Sequence, residues 1–112
     1  MKIYHNPRCS KSRQTLQLIQ NEGITPEIVL YLKNPVSKKE LSDLVKKLDI
    51  QPSQLVRKNE AIYKEQFKGK DISETDWLDH LITYPKLMER PIVVQGNRAI
   101  LGRPPENVLQ LF

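Results

Sequence analysis

A chain of 112 residues, 38% hydrophobic and 28% charged, is the size of one domain and carries enough apolar side chains for a real core. Eighteen Lys and Arg against thirteen Asp and Glu leave a net charge of +5, which favours anionic partners without distinguishing a nucleic acid from a small oxyanion. A single cysteine excludes a disulfide framework or a cysteine-rich zinc site within the chain; with no apolar run near the roughly 20 residues of a membrane helix and no signal-peptide pattern, a cytoplasmic protein is expected.

Lys2-Ile3-Tyr4 predicts a short first strand, ended by Asn6-Pro7, whose proline holds the residue before it extended. Ser10 to Glu22 predicts a helix that offers Leu16, Leu18 and Ile19 to the core and stops at Gly23. Ile28-Val29-Leu30-Tyr31-Leu32 is a near-continuous apolar run, the pattern of a strand covered on both faces. Strand, helix and strand in this order predict a right-handed parallel βαβ unit.

The middle of the chain predicts helices. Ser37 and Glu40 fit an S-x-x-E capping box ahead of Leu41, Leu44, Val45 and Leu48 at helical spacing. Ser73 reads as a second N-cap, with Ile72 and Trp77 placed as a hydrophobic staple. Its helix buries Trp77, Leu78, Leu81 and Ile82 and stops before Pro85, while residues 53–67 predict short helices without defined limits. Sheet returns with Pro91-Ile92-Val93-Val94 and Arg98-Ala99-Ile100-Leu101, flanking Gln95-Gly96-Asn97 as a hairpin turn. Pro104 is expected in the first turn of a final helix containing Val108, Leu109 and Leu111.

The order βαβ, helical segment, ββα outlines an α/β thioredoxin-like fold with a helical insertion between its two halves, one domain over residues 1–112. There a cysteine after the first strand faces the chain preceding the later hairpin, where Arg90-Pro91 stands, and Pro91 becomes a candidate for a cis peptide.

Cys9 lies between strand and helix in the run His5-Asn6-Pro7-Arg8-Cys9-Ser10-Lys11-Ser12-Arg13. A helix N-terminus offers unpaired N–H groups and partial positive charge, which favour a thiolate and can bind an anion. The competing reading is a small buried apolar residue, the commoner fate of a free cysteine. Cys9-x-x-Ser12 has redox spacing with serine in the second place, so an oxidised Cys9 has no internal disulfide partner and needs an outside thiol. Ser12 can hydrogen-bond the thiolate or serve as an ordinary helix-start serine. Arg13, four residues on, orients the loop or pairs with an acid; Asn6 braces the loop or is a turn residue. His80 reads as a surface histidine.

His5-x3-Cys9-x3-Arg13 resembles the signature of the ArsC family of glutaredoxin-dependent arsenate reductases. Leu55-Val56-Arg57-Lys58-Asn59, Glu89-Arg90-Pro91-Ile92-Val93-Val94 and Gly102-Arg103-Pro104 resemble three further family segments in order, so the likeness runs from Lys2 to about Leu111. The basic run around Cys9 is most similar to the short YfgD-type members. The resemblance implies Cys9 as the nucleophile toward arsenate, with His5 tuning the thiolate and Ser12 near the sulfur. It implies Arg57, Arg90 and Arg103 as oxyanion ligands, and guanidinium forks suit a tetrahedral oxyanion because they donate two bonds at once. Arg13, Asn6 and Pro91 would support the site. It implies no bound cofactor or metal, glutathione as reducing co-substrate, glutaredoxin as protein partner, and a monomer without nucleic-acid or membrane partners. Two departures stand out: the chain ends at Phe112 without the extension of longer arsenate reductases, and Ser10-Lys11 replaces a Gly-Thr pair after the nucleophile. Alternatives are a glutathione-dependent thiol reductase acting on mixed disulfides, or a non-enzymatic regulator of the Spx type that binds RNA polymerase.

Overall fold

The computed structural model describes residues 1–112. Its elements are β1 (Lys2–Tyr4), α1 (Ser10–Asn21), β2 (Glu27–Val29), α2 (Lys38–Leu48), a 3-10 turn (Pro52–Leu55), α3 (Ala61–Gln66), α4 (Glu74–Thr83), a second 3-10 turn (Pro85–Leu87), β3 (Ile92–Gln95), β4 (Arg98–Leu101) and a terminal 3-10 helix (Pro105–Leu111). They form two compact units, one of residues 1–34 and 90–112, the other of residues 35–89. No helix is long and apolar enough to cross a membrane.

The first unit holds a four-stranded sheet in the order β2-β1-β3-β4. β1 pairs parallel with β2 and antiparallel with β3, and β3 pairs antiparallel with β4. The mixed α/β architecture expected from the chain order is present. Its register decides where the loops go. Tyr4, the last residue of β1, lies opposite Val29 at the end of β2 and Ile92 at the start of β3, and Ile92 in turn pairs with Leu101 at the end of β4. One end of the sheet therefore gathers the segments after β1, after β2, before β3 and after β4.

Ile3 and Val93, opposite one another, share a sheet face. They form a core with Ile19, Val108 and Leu111, which brings α1 and the terminal 3-10 helix onto that face. α1 ends one residue earlier than the pattern indicated, in a Schellman motif: Gly23 takes φ 78°, and the N–H groups of Gly23 and Ile24 donate to Gln20 and Ile19. Ile24 then packs on the core that contains Ile19.

Two expectations are corrected in this unit. The strand expected over residues 28–32 is β2 at Glu27–Val29, an edge strand with Ile28 46% exposed and Leu32 39% exposed. The ladder closes where its partner ends, with the His5 N–H donating to Val29; the Leu30 carbonyl then accepts from Lys33 and Asn34, turning the chain. An apolar run is blind to that change of hydrogen-bond partner. Pro104 is the cap rather than part of the first turn, the helix after it is 3-10, and Leu109 is exposed while Val108 and Leu111 are buried. The hairpin turn is two residues, Gly96-Asn97, with Gln95 already paired to Arg98 and the positive φ confined to Gly96, as in a type II′ turn. Arg90-Pro91 is cis, as is Arg103-Pro104, which the sequence reading did not anticipate.

The second unit is helical. The Ser37 and Ser73 hydroxyls accept from the N–H groups of Glu40 and Asp76, capping α2 and α4. Leu41, Leu44 and Val45 are buried on α2, Trp77 and Leu81 on α4, and the two helices pack together. Glu74, first residue of α4, takes the Ser53 N–H and hydroxyl at 2.8 and 2.7 Å, tying the 52–55 turn to that helix. Segments 55–57 and 87–89 pair antiparallel through a Val56–Met88 bridge, with Arg57 donating to Leu87 and Glu89 to Leu55.

Candidate active site

Cys9 is the N-cap of α1, with extended backbone, and is 7% exposed. Helix α1 has no acid in its first turn, so nothing in that turn competes for the partial positive charge of its N-terminus. The loop before Cys9 is clasped by groups one turn into the helix. Ser12 is fully buried; its Oγ accepts from the Asn6 N–H at 3.1 Å and lies 2.6 Å from His5 Nδ1. Arg13 donates from Nη1 to the Pro7 carbonyl at 2.9 Å, so it orients the loop, as one of its two readings held. The Asn6 side chain accepts from the Arg8 N–H at 3.0 Å and its carbonyl from Cys9, which makes it a brace. The Ser12 hydroxyl is thus engaged with His5 and Asn6, and the backbone N–H is the part of Ser12 that serves the sulfur.

Register brings the other cations to this end of the sheet. Arg90 and Pro91 immediately precede β3, and Gly102 and Arg103 follow β4. Arg103 donates from Nε to the Arg90 carbonyl at 2.9 Å, and its Nη2 lies 3.8 Å from Cys9 Sγ. Arg90 keeps a buried Nε without a hydrogen-bond partner. Burial pushes the Cys9 thiol up, but the Ser12 N–H, the Arg90 charge, the Lys11 N–H and the Arg103 charge together bring it below its ordinary value. His5 is pushed down by burial and by the Arg13 charge, so it is neutral at pH 7. The result is a thiolate-favouring cysteine, a neutral histidine within the same loop and two guanidinium groups that act on the sulfur.

Arg57 belongs to the second unit. It pairs with Glu60 at 2.9 Å and makes a long bond from Nη1 to the Lys86 carbonyl, 3.4 Å. His80 is partly buried against Phe67 and Trp77, ring centroids 4.6 and 5.8 Å away, rather than on the open surface.

Three residues that shape the site escaped the sequence reading. A Cβ on Gly102 would meet Thr15 Oγ1 at 2.6 Å and Pro91 Cγ at 2.8 Å, so only glycine lets the end of β4 approach α1 this closely. Thr15 is fully buried and its hydroxyl donates to the Lys11 carbonyl at 2.8 Å. Asn107 donates to the carbonyls of Leu101 and Arg103 at 3.3 and 3.0 Å, fixing the turn that carries Arg103. Only the adjacency of Gly102 to Arg103 hinted at any of them. No group of three or more His, Cys, Asp or Glu side chains gathers as a metal site.

The chain matches the ArsC family model over residues 4–111. It is 48% identical to the uncharacterized protein YfgD of Escherichia coli K12, over 99% of this chain and 95% of that one. It is 44% identical to an arsenate reductase of Haemophilus influenzae, over 98% and 97% of the two chains. Among solved structures, the arsenate reductase of Vibrio cholerae superposes with a TM-score of 0.95 at 42% identity, covering 99% of this chain and 96% of that one.

Proposed function

This chain belongs to the ArsC family, and on that premise we propose that it is an arsenate reductase-type oxidoreductase with Cys9 as nucleophile. The observation that carries the reading is the Arg103 Nη2 contact to Cys9 Sγ, 3.8 Å, at a helix N-terminus free of acids. Arsenate reductase is also the name of the Haemophilus and Vibrio relatives.

The Cys9 thiolate attacks As(V), a sulfur–arsenic bond forms and one arsenate oxygen leaves as water after protonation. Arg90 and Arg103 offset the repulsion between thiolate and oxyanion and hold the charge that builds on the remaining oxygens. Glutathione then adds to arsenic and a second oxygen leaves as water. The glutaredoxin thiolate takes the glutathionyl sulfur as a mixed disulfide, so the sulfur–arsenic electron pair stays on arsenic and reduces it to As(III). Water cleaves the remaining bond to Cys9, releasing arsenite and the thiol. Two thiols are oxidised and one As(V) is reduced, so electrons balance without a bound cofactor or metal. The absence of a second cysteine makes the external thiol obligatory.

The test is a coupled assay with arsenate, glutathione, glutaredoxin and NADPH-driven recycling. Cys9→Ser is expected to abolish turnover, and equal turnover by wild type and variant would sink the assignment.

A further inference from the structure

A cavity of about 390 Å³ opens at the carboxyl ends of the neighbouring parallel strands β1 and β2. His5, Asn6, Pro7 and Arg8 line it from the loop that leads to Cys9, and Leu30, Leu32 and Lys33 from the turn after β2. The volume is that of a small-molecule site, roughly 300–1,000 Å³. The outside of the carboxyl ends of parallel strands is also where open α/β sheets bind ligands.

Its chemistry is specific. Arg8 and Lys33 stand on its two walls, exposed, and neither forms an ion pair with an acid. Leu30 and Leu32, the latter 39% exposed, add apolar surface to the same lining. The backbone of both walls is held: the Arg8 N–H donates to Asn6 Oδ1 at 3.0 Å, and the Lys33 N–H to the Leu30 carbonyl at 3.0 Å. A molecule with two carboxylates and a less polar middle matches a lining that pairs two cations with apolar side chains.

We propose that this cavity binds glutathione, with its terminal carboxylates on Arg8 and Lys33 and its cysteinyl segment over Leu30 and Leu32. The inference rests on the reading of this protein as a thiol-dependent reductase and adds the place where the reductant docks. Arg8 directly precedes Cys9, so one wall of the cavity is the loop that carries the nucleophile. The oxyanion ligands Arg90 and Arg103 come instead from the segments before β3 and after β4. The cations offered to the reductant and those offered to the oxyanion therefore come from different segments, so both can be engaged at once.

Calorimetric titration with S-methylglutathione, which keeps both carboxylates and has no reactive thiol, tests the site without requiring any turnover. Wild type is expected to bind, and Arg8→Glu/Lys33→Glu to bind about tenfold more weakly; Lys39→Glu, an exposed charge reversal on α2, leaves affinity unchanged. In the coupled assay the double variant raises the KM for glutathione by a similar factor and leaves the KM for arsenate within twofold. Equal affinity of wild type and double variant for S-methylglutathione overturns the site. So does a loss that Lys39→Glu reproduces, or one that falls on arsenate alone. Binding that depends on Arg8 and Lys33 in a protein that does not turn over arsenate upholds the site and overturns the arsenate reading instead.

Discussion

At the scale of single residues the site works by opposing effects on one sulfur. Burial alone raises the Cys9 thiol, and the helix N–H groups with Arg90 and Arg103 more than reverse it. Removing one guanidinium should therefore be visible. Arg103→Gln is expected to move the midpoint of the Cys9 alkylation rate against pH upward, toward the ordinary thiol range, with the same plateau rate at high pH. An unmoved midpoint would show that the sulfur does not feel Arg103 at 3.8 Å. His5 shifts the opposite way from a histidine that gains an acidic partner, since burial and Arg13 both disfavour its charged form. Below the ordinary histidine range the unfolded chain thus binds more protons than the folded one. The stability contributed by neutral His5 is complete above that range and lost as pH falls through its lowered value. Arg13→Gln removes one of the two causes, so the His5 ring titration followed by NMR is expected to move upward while staying below an unperturbed histidine.

At the scale of elements, the close contact of β4 with α1 is the feature most sensitive to volume. Gly102→Ala places a methyl 2.6 Å from Thr15 Oγ1 and 2.8 Å from Pro91 Cγ. Both neighbours are fully buried, so the strain has no cheap outlet. A loss of ~1–3 kcal/mol in urea unfolding is expected. Thr15→Ala in the same chain should recover part of it, because that threonine supplies two of the three close atoms. Slower alkylation of Cys9 in the single variant would accompany the loss, since Arg103 is the next residue along. The helices of the inserted unit depend on other terms: Ser37 and Ser73 cap α2 and α4 through side-chain bonds that need nothing beyond their own first turns.

At the scale of the whole molecule, a net charge of +5 is expected to draw an anionic substrate toward the protein. With a net charge of +5, kcat/KM for arsenate is expected to fall about threefold between roughly 0.05 and 0.5 M sodium chloride, as the screening length shrinks from above 10 Å to below 5 Å. Sodium sulfate at matched ionic strength should depress it further if, as proposed, Arg90 and Arg103 hold the oxyanion, because sulfate would then compete for them. Identical curves in the two salts would mean that only screening operates. Two ion pairs besides that of Arg57 involve largely exposed side chains, Lys2 with Glu27 and Lys38 with Asp79, and contribute little to stability.

Much of this molecule was legible in 112 letters because much of it is local. A capping serine, a stop glycine, i/i+3/i+4 apolar spacing and a Gly-Asn turn act within a few residues, so α1, α2, α4 and the hairpin could be placed without knowing their neighbours. The loop around Cys9 is of the same kind, since Ser12 and Arg13 reach back no further than His5 and Pro7. Where an outcome depended on a partner elsewhere, the pattern misled or was silent. β2 stops at Val29 because β1 stops at Tyr4, whatever the apolar run beyond it suggests. Gly102 is required by Thr15, and Asn107 by the turn at Arg103, contacts that no spacing encodes. The resemblance to a family could name Arg90 and Arg103. Their approach to a sulfur 94 residues from Arg103 comes from the antiparallel pairing of β3 with β1 and with β4, which turns distant segments toward one end of the sheet.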